Sequence, residues 1–152
     1  CNIFLAGEPL TGQRFVQVTT RRTKQFWANF IEYVAGKYQH AEKIILVMDN
    51  LNTHKPGSLY EVFLPEKAKR LWNRFQFVYT PKHGSWLNMA EIELNVLNGQ
   101  CLNRRIDKIA TVIRECNAWQ ERRNNKNAKI NWQFTAKDAR IKLKRLYPTL
   151  QD

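Results

Sequence analysis

Apolar residues along the chain follow two rhythms. Ile44 to Met48 form an unbroken apolar run that ends on Asp49-Asn50. A short run of this kind, bounded by turn-forming residues, predicts a buried strand in a sheet covered on both faces. Upstream, Asn2 to Ala6 predicts a short strand, and Arg14 to Thr20 alternates and is rich in Val and Thr. The two are expected to pair antiparallel across a Glu8–Gln13 turn punctuated by Pro9 and Gly12. Phe26, Trp27, Phe30, Ile31 and Val34 recur at three and four residues, which predicts a helix over Lys24 to Gly36 with Thr23 as cap and Gly36 as stop. Ser58-Leu-Tyr-Glu61 has the capping-box pattern and opens a helix to Leu64, where Pro65 interrupts or restarts it. Phe75 to Tyr79 is the next strand. Further helices are expected from near Ser85, from Ile106 to about Arg122, and from Ala136 to Leu146. Thr135 and Asp138 cap the last of these, and Pro148 ends it. Strands interleaved with helices define an α/β class with a mixed sheet, its first two strands antiparallel and the Asp49 strand internal.

Two acids stand out against this frame. Asp49 ends the apolar strand, and open α/β sheets place their ligands at such carboxyl ends. Turn and cap residues occupy that position about as often. On the helix after Ser85, Leu87, Ala90, Leu94, Leu97 and Cys101 form an apolar stripe at about 100° per residue. Glu91 borders it, with Asn88 and Asn95 on the same flank. Glu93 leaves the helix about 200° away from Glu91, so one of the two glutamates faces the sheet edge. Hard divalent ions need oxygen ligands held together, and a strand-end Asp with a helix-flank Glu provides them. Asn88 can hydrogen-bond an acid or a metal-bound water. Asn52 and His54 are polar loop residues near Asp49. His54 binds a phosphate, orients Asp49, or is an ordinary hydrogen-bonded loop histidine.

Asp49-Asn-Leu-Asn-Thr-His54, followed by Tyr79-Thr-Pro-Lys-His-Gly-Ser-Trp-Leu-Asn-Met-Ala-Glu-Ile-Glu93, resembles the catalytic half of the IS630-type transposases. These belong to the Tc1/mariner group of DDE transposases. The similarity continues through Arg21-Arg22-Thr23 and Ala139-Arg-Ile-Lys-Leu-Lys-Arg-Leu-Tyr147, nearly the whole chain. It implies an RNase H-like mixed sheet flanked by helices, with Asp49 as the second catalytic acid and Glu91 as the third. It also implies two Mg²⁺ or Mn²⁺ ions in the complete domain, and cleavage and strand transfer of DNA at transposon ends and target. A homodimer or a full-length transposase is the implied protein partner, in the cytoplasm and at the nucleoid of a prokaryotic host. The family places its first catalytic Asp on an opening strand upstream of the part resembling Cys1 to Glu8. Residues 1–152 are therefore expected to form a partial catalytic domain, first strand missing or truncated, impaired in cleavage, with a basic helical portion from about 102. The rival readings are a catalytically inactive transposase-derived DNA-binding fragment and another RNase H-like nuclease.

Composition narrows the partner. The net charge is +12, from 25 basic and 13 acidic residues. Residues 101–152 hold 13 of the basic and 5 of the acidic ones, so the positive field is concentrated there. A polyanion suits such a chain. Arg21 and Arg22 at a strand end, Lys82 and His83 before the Glu91 helix, Arg104-Arg105, and Lys142 and Arg145 on the last helix are the candidate DNA contacts. The last helix either lies along DNA or is a surface helix with snorkelling lysines. No run approaches 18 apolar residues, and no membrane span is expected. Cys1, Cys101 and Cys116 form no zinc signature and read as free thiols.

Overall fold

Two β-strands, β1 (Asn2–Glu8) and β2 (Gln13–Thr19), open the computed structural model, which describes residues 1–49, 54–55, 57–81 and 88–142. They pair antiparallel, from Asn2 opposite Thr19 to Glu8 opposite Gln13. Their turn needs Gly12, whose φ of +76° lies in the left-handed region. A Cβ there would stand 2.8 Å from the carbonyl carbon of Asn127, so the hairpin turn also packs closely on a distant backbone segment.

Helix α1 (Lys24–Lys37) begins as predicted, with the Thr23 hydroxyl accepting from the Phe26 N–H at 3.3 Å. It does not stop at Gly36. The helix runs through that residue, and the Tyr38 N–H closes the end on the Ala35 carbonyl. Strand β3 (Ile44–Met48) then pairs parallel with β4 (Phe75–Tyr79), Ile44 opposite Phe75 and Met48 opposite Tyr79. The crossover contains α2 (Gly57–Val62) and α3 (Pro65–Arg74). Pro65 restarts the chain as a helix because a proline in the first turn forfeits no intrahelical bond. Ser58 lies inside α2 rather than capping it. Helix α4 (Met89–Leu97) continues into a π-helical turn, Asn98–Leu102, and is followed by α5 (Ile109–Asn125) and α6 (Ala136–Lys142). The predicted cap of α6 is present: Asp138 Oδ2 accepts from the Thr135 N–H at 2.9 Å, and Thr135 Oγ1 from the Asp138 N–H at 3.2 Å.

Two cores result. The first takes Phe4 from β1, Met48 from β3 and Phe75 from β4 beneath α1, α2 and α3. The second takes Val16 from β2 together with Leu97, Cys101, Val112, Cys116 and Trp119. Strand β1 serves both, Phe4 facing one way and its neighbours Ile3 and Leu5 the other, as alternation along a strand requires. Side chains of α5 finish the outer edge of β2. Asn124 accepts from the Arg14 N–H at 2.9 Å and donates to the Arg14 carbonyl at 2.8 Å, while Gln120 accepts from the Val16 N–H at 2.6 Å.

The result is a mixed α/β fold of two small open sheets flanked by helices, consistent with an RNase H-like arrangement. Its details correct the sequence reading at three places. Among the described residues β3 pairs with β4 alone, so the Asp49 strand is not internal. Nor is β3 covered on both faces by the described residues: Ile45 and Val47 are 66% and 48% exposed, and the packed face is the one toward α1–α3. A groove of about 520 Å³ separates β3 from β1, walled by Asn2–Gly7 on one side and Ile45–Asp49 on the other. Finally, α4 starts at Met89 rather than near Ser85, and the predicted stripe is buried only in its later part, at Leu97 and Cys101. Leu94 is 37% exposed toward the groove, while Glu93 is 1% exposed and shares the buried side with Leu97. Helix α5 buries Val112, Cys116 and Trp119 and leaves Ile109 and Ile113 exposed. Leu87 and Ser85 lie outside the described residues.

Candidate active site

Asp49 follows the last residue of β3 and is half-buried at the end of the groove. The strand delivers it there because the ladder continues one step beyond β3, with the Thr80 N–H donating to the Met48 carbonyl at 3.0 Å. Two side chains then hold its carboxylate. The Thr80 hydroxyl donates to Asp49 Oδ1 at 3.4 Å, and Asn88 Nδ2 donates to the same oxygen at 3.3 Å. Oδ1 is thus engaged by neutral donors.

Asn88 has a second task. Its own Oδ1 accepts from the Ala90 N–H at 3.1 Å, which makes it the N-cap of α4. One amide therefore ties the strand-end acid to the start of the helix that carries Glu91. Glu91 is half-buried in the first turn, its N–H donating to the Asn88 carbonyl at 3.0 Å. Along the helix axis it is roughly 4.5 Å beyond Asn88. The helix N-terminus also places its free N–H groups and positive dipole end on this side.

His54 and Arg22 complete this end of the groove. The His54 ring stacks on Trp27 with centroids 5.9 Å apart, and its carbonyl accepts from the Tyr79 hydroxyl at 3.1 Å. Burial holds the imidazole below its ordinary pKa, and the Arg22 charge lowers it further, against an opposing pull from Asp49. His54 is therefore a neutral, packed side chain beside Asp49. Sequence reasoning had left its role open among three readings.

Glu93 is placed where its helical angle requires, away from the groove. It is the most enclosed acid of the described residues, with Arg14 Nε 2.8 Å from its Oε2 and Arg123 Nη2 3.1 Å from its Oε1. Arg14, 2% exposed, was read only as the start of an alternating strand, and no local signal marks its burial. Both guanidiniums also stand over the Trp119 ring, at 5.7 and 5.4 Å.

Of the candidate DNA contacts, Arg21 and Arg22 are exposed at the end of β2, and Arg22 also borders the groove. Arg104 and Arg105 are exposed and pair with Glu115 and Asp107 at 3.3 and 3.2 Å. Lys142 is exposed at the end of α6. Lys82, His83 and Arg145 lie outside the described residues, as does Asn52. Among the described residues no group of three or more His, Cys, Asp or Glu side chains is placed to hold a metal ion. No helix among them is long and apolar enough to cross a membrane.

A half-buried acid at a strand end, tied through one amide to the start of the neighbouring helix, sits on an open mixed α/β fold. The family follows from comparison: residues 1–113 match the family of DDE superfamily endonucleases, and the chain belongs to it. A comparison with curated proteins and another with solved structures each found no match.

Proposed function

We propose that the chain is the carboxylate-bearing part of a DNA-cutting and strand-transferring endonuclease of the transposase kind, with Asp49 and Glu91 as two of its metal-holding acids. The observation that carries this reading is the Asn88 bridge, which fixes the acid at the end of β3 against the helix bearing Glu91. Membership of the endonuclease family supports it.

The donor set fits a hard divalent cation such as Mg²⁺ or Mn²⁺, which prefers carboxylate oxygens and keeps several waters. Asp49, with Oδ1 already engaged by Thr80 and Asn88, presents its other oxygen, and Glu91 supplies the second carboxylate. Bound there, such an ion supplies Lewis-acid stabilisation of charge on a phosphodiester and lowers the pKa of water. The chain's own residues do the rest. Asn88 and Thr80 orient Asp49, His54 packs beside it, and Arg22 offers a cation to a phosphate at the groove. Exposed Arg21, Arg104, Arg105 and Lys142 hold the DNA backbone, with Lys82, His83 and Arg145 added from the sequence reading.

Two carboxylates do not fix two hard ions in place. The 152-residue polypeptide is therefore expected to bind Mn²⁺ weakly and to cut DNA at no more than a trace. A longer chain bringing a further acid to the groove is expected to cut. Mn²⁺ titration of the folded polypeptide tests the pair: Asp49→Asn and Glu91→Gln should each lower affinity by about tenfold or more. Equal affinity in the parent and both variants overturns the shared site. Efficient metal-dependent nicking by the unextended polypeptide overturns the claim that two acids are too few. The readings as a non-catalytic DNA-binding fragment and as another nuclease predict, respectively, no cutting from any extended chain and cutting without use of transposon ends.

A further inference from the structure

Glu93 sits two residues after Glu91 and on the opposite side of a helix only nine residues long. On the groove side, Met89, Ala90 and Leu94 form part of the wall. On the other side the buried residues are Glu93 and Leu97. A leucine contact tolerates some rotation of the helix about its axis, since dispersion forces are non-directional. A carboxylate gripped by guanidiniums does not, because charge-assisted hydrogen bonds have fixed geometry.

The grip on Glu93 comes from two separate elements. Arg14, on β2, approaches Oε2 through Nε at 2.8 Å and donates to Oε1 from Nη2 at 3.3 Å. Arg123, on α5, donates to Oε1 at 3.1 Å. Arg14 is itself anchored, since its Nη2 also donates to the Ala128 carbonyl. An apolar residue at position 93 would have filled the core with less desolvation, and buried ion pairs are best accounted for when they fix a register.

We infer that Glu93 is a positioning residue: its contacts to Arg14 and Arg123 set the roll of α4, and so place Asn88 and Glu91 against Asp49. The part that concerns Glu91 rests on the metal-holding reading proposed above, whereas the part that concerns Asn88 does not. The sequence reading gave Glu93 no role beyond facing elsewhere. Here it acts on the site through the helix, without touching the reacting groups.

The test uses the ¹⁵N-labelled full chain and reads the side-chain amide resonance of Asn88, identified as the one that Asp49→Asn displaces. Glu93→Asp keeps the charge, shortens the side chain by one methylene and is the decisive variant, since it should remain folded. A second, charge-free variant combines Arg14→Met, Glu93→Leu and Arg123→Met, which removes all three charges of the cluster together. In each folded variant the Asn88 resonance should move toward its position in Asp49→Asn, and Mn²⁺ affinity should fall by about tenfold or more. A native Asn88 resonance in Glu93→Asp overturns the inference, as does a charge-free variant that melts like the parent and keeps both readouts. If the parent chain binds no Mn²⁺, the metal reading falls, and the Asn88 resonance alone decides the role of Glu93.

Discussion

At the scale of single residues, His54 shows how burial and neighbouring charge work against one another. Its folded pKa is lowered from 6.5, first by burial and then by Arg22, while Asp49 opposes the shift. The unfolded chain therefore takes up a proton at a higher pH than the native one. The stability that neutral His54 contributes is fully present above 6.5 and is lost as pH falls from there toward the folded value. Urea midpoints measured between pH 7.5 and 5.5 should fall on acidification, and His54→Phe should flatten that dependence. The same scale shows what the sequence could and could not reveal. Asp49 was legible because an apolar run ending on an acid is a local pattern. Glu93 was not, because its burial depends on arginines 79 positions upstream and 30 downstream that only the fold brings near. For the same reason Leu94, apolar and correctly spaced, was assigned to the core and instead faces the groove.

Elements were legible wherever period and punctuation agreed. Strand β4 has its predicted bounds, α1 its predicted cap, and α6 its Thr135–Asp138 box. Ends governed by a competing polar group were less legible. Asn88 displaces Ser85 as the cap of α4 because its amide satisfies the helix start and Asp49 together, a benefit that only the folded arrangement provides. Gly36 does not end α1 because tertiary packing of Val34 and Ala35 carries the helix past it. The β1–β2 turn makes a sharp prediction at this scale. Gly12→Ala must adopt a left-handed conformation, which costs about 1–2 kcal/mol. Its Cβ must also displace the Asn127 backbone, which stands only 2.8 Å away. Denaturant unfolding should show a loss of at least that size. An alanine at Gly36, which has open space around it, should instead be neutral or mildly stabilising.

For the molecule as a whole, the order of elements and the DDE superfamily were readable in the sequence, but the division of the sheet was not. Alternation along β1 and apolarity along β3 each say that a strand forms. Neither says that the two stand on opposite walls of a groove. The net charge of +12 bears on the complete surface. Duplex DNA binding is expected to be weak and salt-sensitive, with little sequence preference. Each phosphate neutralised should add about 0.9 to the slope of log affinity against log salt. Fluorescence anisotropy with unrelated duplexes between about 50 and 300 mM salt checks this, and constant affinity across that range contradicts it. Reversing Arg104 and Arg105 to glutamate should weaken binding to all sequences alike.

The hydrogen bonds from Asn124 and Gln120 to the margin of β2 have a consequence for solubility. An unpaired strand margin is a template on which other chains can add, the first step toward ordered aggregates. Here two amide side chains occupy the donors and acceptor of Arg14 and Val16 that an incoming strand would use. Removing both amides should therefore leave a chain whose losses appear less in its melting temperature than in its shelf life: light scattering from a concentrated sample should rise with time.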